Sequence, residues 1–174
     1  MASVLGSPRK GEVSLSVLFE YSEYMRERFS MAVLALSPAQ FTAPLRLAWK
    51  FRDLRDLICH LVETEDEWIR GIVQGDPAPS LQPDTYSDAA FAVRRWEEVR
   101  HRTRAHLQRA DEAELARTVT TPFHGRPRFT VRQVLMHLLL HETHHRGQLT
   151  AAFRMRGVAP PPSDFYDFVA EQLQ

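Results

Sequence analysis

The sequence predicts an all-α protein, an antiparallel four-helix bundle with a short hairpin before its fourth helix. Three observations carry this. Four long stretches show apolar residues near the 3.6-residue period of a helix. All 11 prolines fall outside those stretches. The 174 residues, 44% hydrophobic and 25% charged, suit one soluble domain spanning 1–174 with a core that needs no covalent staple.

Residues 1–10 read as a loose leader. The first helix runs from Glu12 to about Leu36, with Leu15, Leu18, Phe19, Tyr21 and Met25 near helical spacing. Ser37-Pro38 ends it, because proline cannot continue a helix interior. The second helix starts near Phe51 or Arg52 and reaches about Val73, with Leu54, Leu57, Ile58, Leu61, Trp68 and Ile72 as its apolar face. "GDPAPSLQPD" (Gly75 to Asp84) is a breaker-rich loop. Ser87-Asp88 offers an N-cap for a third helix that extends to about Arg109.

Between Arg117 and Thr130, β-branched residues flank a turn at His124-Gly125-Arg126, the pattern of a short hairpin. Thr130 then caps a fourth helix from Val131 to about Arg156, stopped by Gly157. "SDFYDFVAEQL" forms one or two last helical turns, pinned by Phe165, Tyr166 and Phe168.

Composition excludes several functions. Lys plus Arg is 22 and Asp plus Glu is 22, so the chain lacks the electrostatic footprint of a nucleic-acid binder. No apolar run approaches the ~18 residues of a membrane span, and "MASVLGSPRK" has no signal-peptide core. The single cysteine, Cys59, rules out an intrachain disulfide, and it reads as a small buried thiol. Together these point to a cytoplasmic protein. There is no Gly-rich phosphate loop and no serine-based catalytic constellation.

The chemistry lies in the histidines. Four of the eight fall between His137 and His145, within "HLLLHETHHRGQ". Each helical residue advances about 100°, so a four-residue step drifts only about 40° and stacks His141 and His145 on one face. Two imidazoles at i and i+4 are the helical way to chelate a transition metal. Gln148 falls about 20° from His141 on that face. A tight site needs a third ligand from another helix. His60, midway along helix two in "DLICHLVETEDEW", is the best candidate, giving an open three-histidine site. Glu63 and Glu67, at i+3 and i+7 from His60, are the candidates for a base or for a group orienting an imidazole. His137 reads as a packing residue or one that supports a ligand from behind, His144 as partly exposed or interfacial, and Arg146 as an ion-pair or interface residue. Gly147 reads as a point of close helix approach, and His101 and His106 as surface residues among arginines.

"RDLICHLVETEDEW", then "VLMHLLLHETHHRGQLTAAFRMRG" and "PPPSDF", resemble the DinB/YfiT superfamily of damage-inducible-type proteins over nearly the whole chain. The resemblance implies a four-helix bundle, commonly a homodimer, that binds a divalent metal through three histidines. Carried onto this sequence, those are His60, His141 and His145. It also implies metal-dependent chemistry on small molecules in stress response or detoxification. In some branches this is transfer of a low-molecular-weight thiol such as bacillithiol or mycothiol. Zinc and nickel lead as the metal, and iron and manganese also suit imidazole. Three functions follow: a thiol S-transferase or hydrolase, a non-catalytic stress protein with a structural metal, or an interaction module whose histidines only pack.

Overall fold

A computed structural model describes residues 15–45, 50–123 and 125–173. The expected leader at 1–10, the helix start at Glu12 and the turn residue His124 lie outside them. The described chain is mostly helical. In order it contains α1 (Leu15–Leu34), α2 (Pro38–Thr42), α3 (Leu54–Asp66), a π-helical segment (Glu67–Val73), a 3₁₀ turn (Pro83–Thr85), α4 (Ala89–Leu107), α5 (Glu112–Ala116), β1 (Thr118–Thr120), β2 (Arg128–Thr130), α6 (Val131–Met155) and α7 (Phe165–Gln172).

The boundaries follow from local chemistry. Ser37 ends the first helical region but also starts a new one, the capping box of α2, which the sequence reading did not anticipate. Asp53, rather than Phe51 or Arg52, sets the start of α3, because its side chain accepts the Asp56 N–H at 2.8 Å. Asp88 caps α4 as expected, but α4 stops at Leu107, two residues short of Arg109. Asp111 then caps the unpredicted α5. The hairpin forms, with β1 and β2 antiparallel and Val119 opposite Phe129. Gly125 (φ 78°) and Arg126 (φ 44°) supply its left-handed turn. Thr130 and Gln133 form a complete capping box on α6, and Gly157 (φ 68°) ends it.

The four long helices pack in a ring: α3 touches α4 and α6, and α1 touches α4 and α6. Two apolar clusters occupy its two ends. One holds Phe29 and Val33 with Leu54, Ile58, Trp96 and Phe153. The other holds Leu15 and Phe19 with Trp68, Leu107, Val134 and Leu138. Following the chain between the clusters gives each helix a direction. α1 and α6 run from the second cluster to the first, whereas α3 and α4 run from the first to the second. The expected antiparallel pairing therefore holds for α3 with α6 and α1 with α4, but α3 and α4 are parallel. The Pro-rich segment at 74–88 makes this possible, being long enough to return the chain to the end at which α3 began.

Between the apolar clusters lies a layer of buried polar side chains to which all four long helices contribute. Arg26 of α1 donates to Glu65 of α3 at 2.9 Å and to Glu142 of α6 at 2.6 Å. Ser22 donates to Glu142 at 2.8 Å and accepts from Arg100 of α4 at 2.8 Å. Thr103 donates to Glu65 at 2.5 Å, and Arg146 donates to Glu142 at 3.1 Å. Burial pushes the Glu142 carboxyl up, but Arg26, Arg100 and Arg146 outweigh it and hold the group down at about 2. His60, His141 and His145 sit on the two helices, α3 and α6, that this layer clamps together. No helix among the described residues is long and apolar enough to cross a membrane.

Candidate metal centre

The i, i+4 spacing on α6 does what helical geometry requires. The Nε2 atoms of His141 and His145 stand 3.1 Å apart. The α3–α6 contact brings His60 to them, with its Nε2 3.2 Å from that of His141. One ligand atom from each of the three residues lies within 4.8 Å of the others. His145 is buried and the other two are half-buried. Phe51 backs the cluster, its ring centroid 5.2 Å from that of His60 and 5.5 Å from that of His145.

Hydrogen bonding fixes which nitrogens face inward. Nδ1 of His145 is 2.6 Å from the amide oxygen of Gln148. An oxygen can only accept, so the ring proton sits on Nδ1 and Nε2 carries a bare lone pair. The Lys50 ammonium, 3.5 Å away, faces Nε2 of His60, so that nitrogen is also an acceptor, and its Nδ1 faces Thr64 Oγ1 at 3.5 Å. His141 Nε2 lies between two acceptors and can donate to only one.

A cation answers this arrangement. Two nitrogens ~2.1 Å from one ion lie ~3.4 Å apart at a tetrahedral angle and ~3.0 Å apart at a right angle. The observed 3.1 and 3.2 Å fall between these values. The imidazoles are also kept neutral, as ligands must be. Burial, then Lys50 and His145, lowers His60 to about 4. Burial, then His145 and His60, lowers His141 to about 3. His145 is lowered chiefly by burial.

The three nitrogens face an open cavity of about 630 Å³, whose walls include Phe51, Trp68 and Phe123. His137 is exposed and lines the same cavity, its ring 4.8 Å from that of Trp68 between centroids. The π-helical segment carries Trp68 to that position. His144 is exposed, its ring 4.9 Å from that of His145.

Other residues lie apart from the cluster or differ from expectation. Glu63 does not turn towards the histidines. It is buried, and accepts from Tyr86 Oη at 2.8 Å, the Leu81 N–H at 3.0 Å and Arg95 Nε at 3.0 Å. Glu67 is exposed, lies at the start of the π-helical segment and borders a different cavity with Arg70 and Thr121. Neither glutamate lines the cavity that holds His141 and His145, but both border an adjoining cavity with His60. Gly147 is not a point of close approach, since a Cβ there would meet nothing within 4 Å. It lies on the outer side of α6, away from the ring. His106 is half-buried rather than on the surface, because α5 folds back and sets Glu114 3.4 Å from its Nε2. Arg146 forms the expected ion pair, and His101 is exposed as expected. Cys59 is buried, and burial, then Glu63, pushes its thiol up to about 12, which leaves it inert.

The sequence reading missed three residues of the site and left a fourth, Gln148, without a partner. Lys50, Phe51 and Phe123 lie outside the long helices and come to the cavity only through tertiary structure. Gln148 stood on the correct face, and its i+3 spacing from His145 was the signal for the hydrogen bond.

Comparison with known proteins agrees with this architecture. The family model described as DinB family matches residues 10–173. Protein DinB of Bacillus subtilis (strain 168) is 34% identical over 59 residues. That match spans about a third of each chain (34% of both). The crystal structure of a DinB-like protein from Bacillus cereus ATCC 10987 superposes with a TM-score of 0.62 at 18% identity, over 83% of this chain and 94% of that one. A DinB-like protein from Bacillus subtilis gives a TM-score of 0.61 at 18% identity, over 84% and 96%. At that identity the two structures speak for the fold alone, whereas the family model spans nearly the whole sequence. The chain belongs to the DinB family.

Proposed function

We propose that this protein is a metal-dependent enzyme in which His60, His141 and His145 hold one divalent transition ion. Zinc or nickel are the first expectations, with iron and manganese also suited to imidazole. The observation that carries the reading is the convergence of three neutral imidazole nitrogens, at 3.1 and 3.2 Å, on an open cavity. A structural ion would favour a closed shell of four protein ligands, whereas only three of the five histidines lining the described cavity converge, beside an open side.

When bound, a divalent ion there supplies Lewis acidity, which favours the ionised form of a thiol or water at neutral pH. The protein's own groups do the rest. Gln148 holds His145 in the tautomer that presents Nε2. Phe51 keeps water from the back of the cluster. Trp68 and Phe123 form an apolar wall for a small organic substrate. The reaction we favour is transfer of a low-molecular-weight thiol to an electrophilic carbon, with hydrolysis as the alternative. Glu63 is fully hydrogen-bonded elsewhere, and Glu67, which borders a cavity with His60, is the remaining candidate for a base.

We further propose that the ring of long helices is a four-helix bundle, that the protein works in the cytoplasm and that it is a homodimer. Exposed Leu140 and Met136 on the outer side of α6 favour an interface there. Light scattering on sized protein tests the last point, and a clean monomer mass overturns it.

Elemental analysis of untagged protein beside His60→Ala tests the site. About one metal per chain, lost in the variant, supports it. No metal in either, after reconstitution with zinc, nickel and manganese, overturns the metal reading and leaves the histidines as packing residues. Thiol conjugation of an aryl halide and ester hydrolysis, assayed on the loaded protein, then separate the two reactions.

A further inference from the structure

Lys50 stands at the mouth of the histidine cavity and has no acidic partner among the described residues. Its polar and π contacts there are Nε2 of His60 at 3.5 Å and the ring of Phe51 at 4.9 Å. The described lining of this cavity includes no carboxylate, and Asp56, Glu63 and Glu67 border His60 from a separate cavity. The acid nearest in sequence to His60 on the N-terminal side, Asp56, is engaged by Arg52, accepting its backbone N–H at 3.0 Å with the guanidinium 3.6 Å away. The contrast with the interior is sharp. Arg26, Arg95, Arg100 and Arg146 are each matched by carboxylates within 3.5 Å.

A site of this composition is left with positive charge to be matched. Three neutral imidazoles contribute no charge, so a divalent ion held by them keeps both of its own. The Lys50 ammonium adds a third beside one of the ligating nitrogens. Like charges this close, against aromatic walls, are stable together only when an anion lies between or beside them. None of the described side chains lining this cavity provides one.

We propose that Lys50 recognises an anionic group, a carboxylate, on the small molecule that this site takes, while Phe51, Trp68 and Phe123 receive its apolar part. The inference rests on the metal reading and narrows it: the substrate or thiol co-substrate is an organic acid. A carboxylate fits Lys50 as a point charge, and the same carboxylate relieves the repulsion between the ammonium and the ion.

The test uses cobalt(II)-loaded protein and two thiols of similar size, 3-mercaptopropionate and 2-mercaptoethanol. Thiolate binding is read from the sulfur-to-cobalt absorption, so no turnover is needed. A charge-assisted contact predicts that wild type binds 3-mercaptopropionate about 10-fold or more tighter than 2-mercaptoethanol. Lys50→Met reduces that preference to near unity, so that both thiols bind alike, while Lys50→Arg keeps it. A preference that persists in Lys50→Met overturns the role of Lys50. Cobalt uptake, followed by its own visible bands before any thiol is added, reports separately on the metal reading. Failure of wild type to take up cobalt overturns both, whereas uptake with an unchanged preference overturns the role of Lys50 alone.

Discussion

Nδ1 of His145 and Oε1 of Gln148 stand 2.6 Å apart, one helical turn apart on α6. The contact decides which nitrogen of His145 faces His60 and His141. Without it the ring can place its proton on Nε2 and lose its lone pair to the cluster. Replacing Gln148 with Leu is expected to weaken metal binding by about 10–100-fold, the usual effect of removing a group that orients a ligand. Gln148→Glu, which still accepts, is expected to retain binding. Competition against a chromogenic chelator measures both, and a Gln148→Leu protein of wild-type affinity contradicts the role.

This relationship also shows how far the sequence could be read. Spacing on a single helix fixed the common face of His141, His145 and Gln148, because helical geometry is local. His60 required a guess about which helices touch, which the apolar pattern of helix two supported. The direction of α4 was not legible, because apolar periodicity says which face is buried but not which way a long loop returns the chain. Glu63 misled for a related reason. Its position one turn from His60 is a fact of the helix, but Tyr86, Leu81 and Arg95, which claim its carboxylate, come from distant parts of the chain.

The buried charge layer makes a stability prediction. Arg26 is 5% exposed and bridges Glu65 and Glu142, both also buried. Arg26→Met removes the cation and leaves two buried carboxylates facing Arg100. The expected cost is about 3–5 kcal/mol, the range for removing one partner of a buried pair. Adding Glu142→Gln to Arg26→Met is expected to recover part of that loss. Urea unfolding of the three proteins measures it, and an Arg26→Met midpoint within error of wild type rules the layer out as a clamp.

Acid should destabilise the metal-free protein in two steps. His60 and His141 are lowered from 6.5 to about 4 and about 3, so between those values the unfolded chain binds protons that the folded chain does not. Their contribution is complete above about 6.5 and is lost as pH falls towards 3. Glu142, lowered from 4.5 to about 2, contributes above 4.5 and loses that contribution as pH falls towards 2. The interval from 6.5 to 4.5 therefore belongs to histidines, with His145, His137 and His106 shifted in the same direction. Urea midpoints measured across this range should fall with pH. The slope above pH 4.5 should be shallower in a His60→Leu, His141→Leu protein, while the drop below it remains. An equal slope in both proteins excludes the histidines as its source.

Glu63 separates a structural role from a chemical one. Its carboxylate ties α3 to the long crossover through the Leu81 N–H and the Tyr86 hydroxyl, and to α4 through Arg95. Cys59 adds an S–H contact to the Leu81 carbonyl at 3.4 Å, one turn away. The crossover carries α4 into its parallel place beside α3, so the carboxylate holds a connection that helix packing alone does not specify. Glu63→Gln keeps the shape but weakens charge-assisted bonds to Arg95 and Tyr86. It is expected to cost about 1–3 kcal/mol in urea unfolding and to leave metal stoichiometry and affinity unchanged. Glu63→Ala is expected to cost more and to speed proteolysis within 74–88, where the loop loses its anchor. A Glu63→Gln protein of full stability that loses metal, or loses turnover once a reaction is assigned, would instead return this residue to the histidine site.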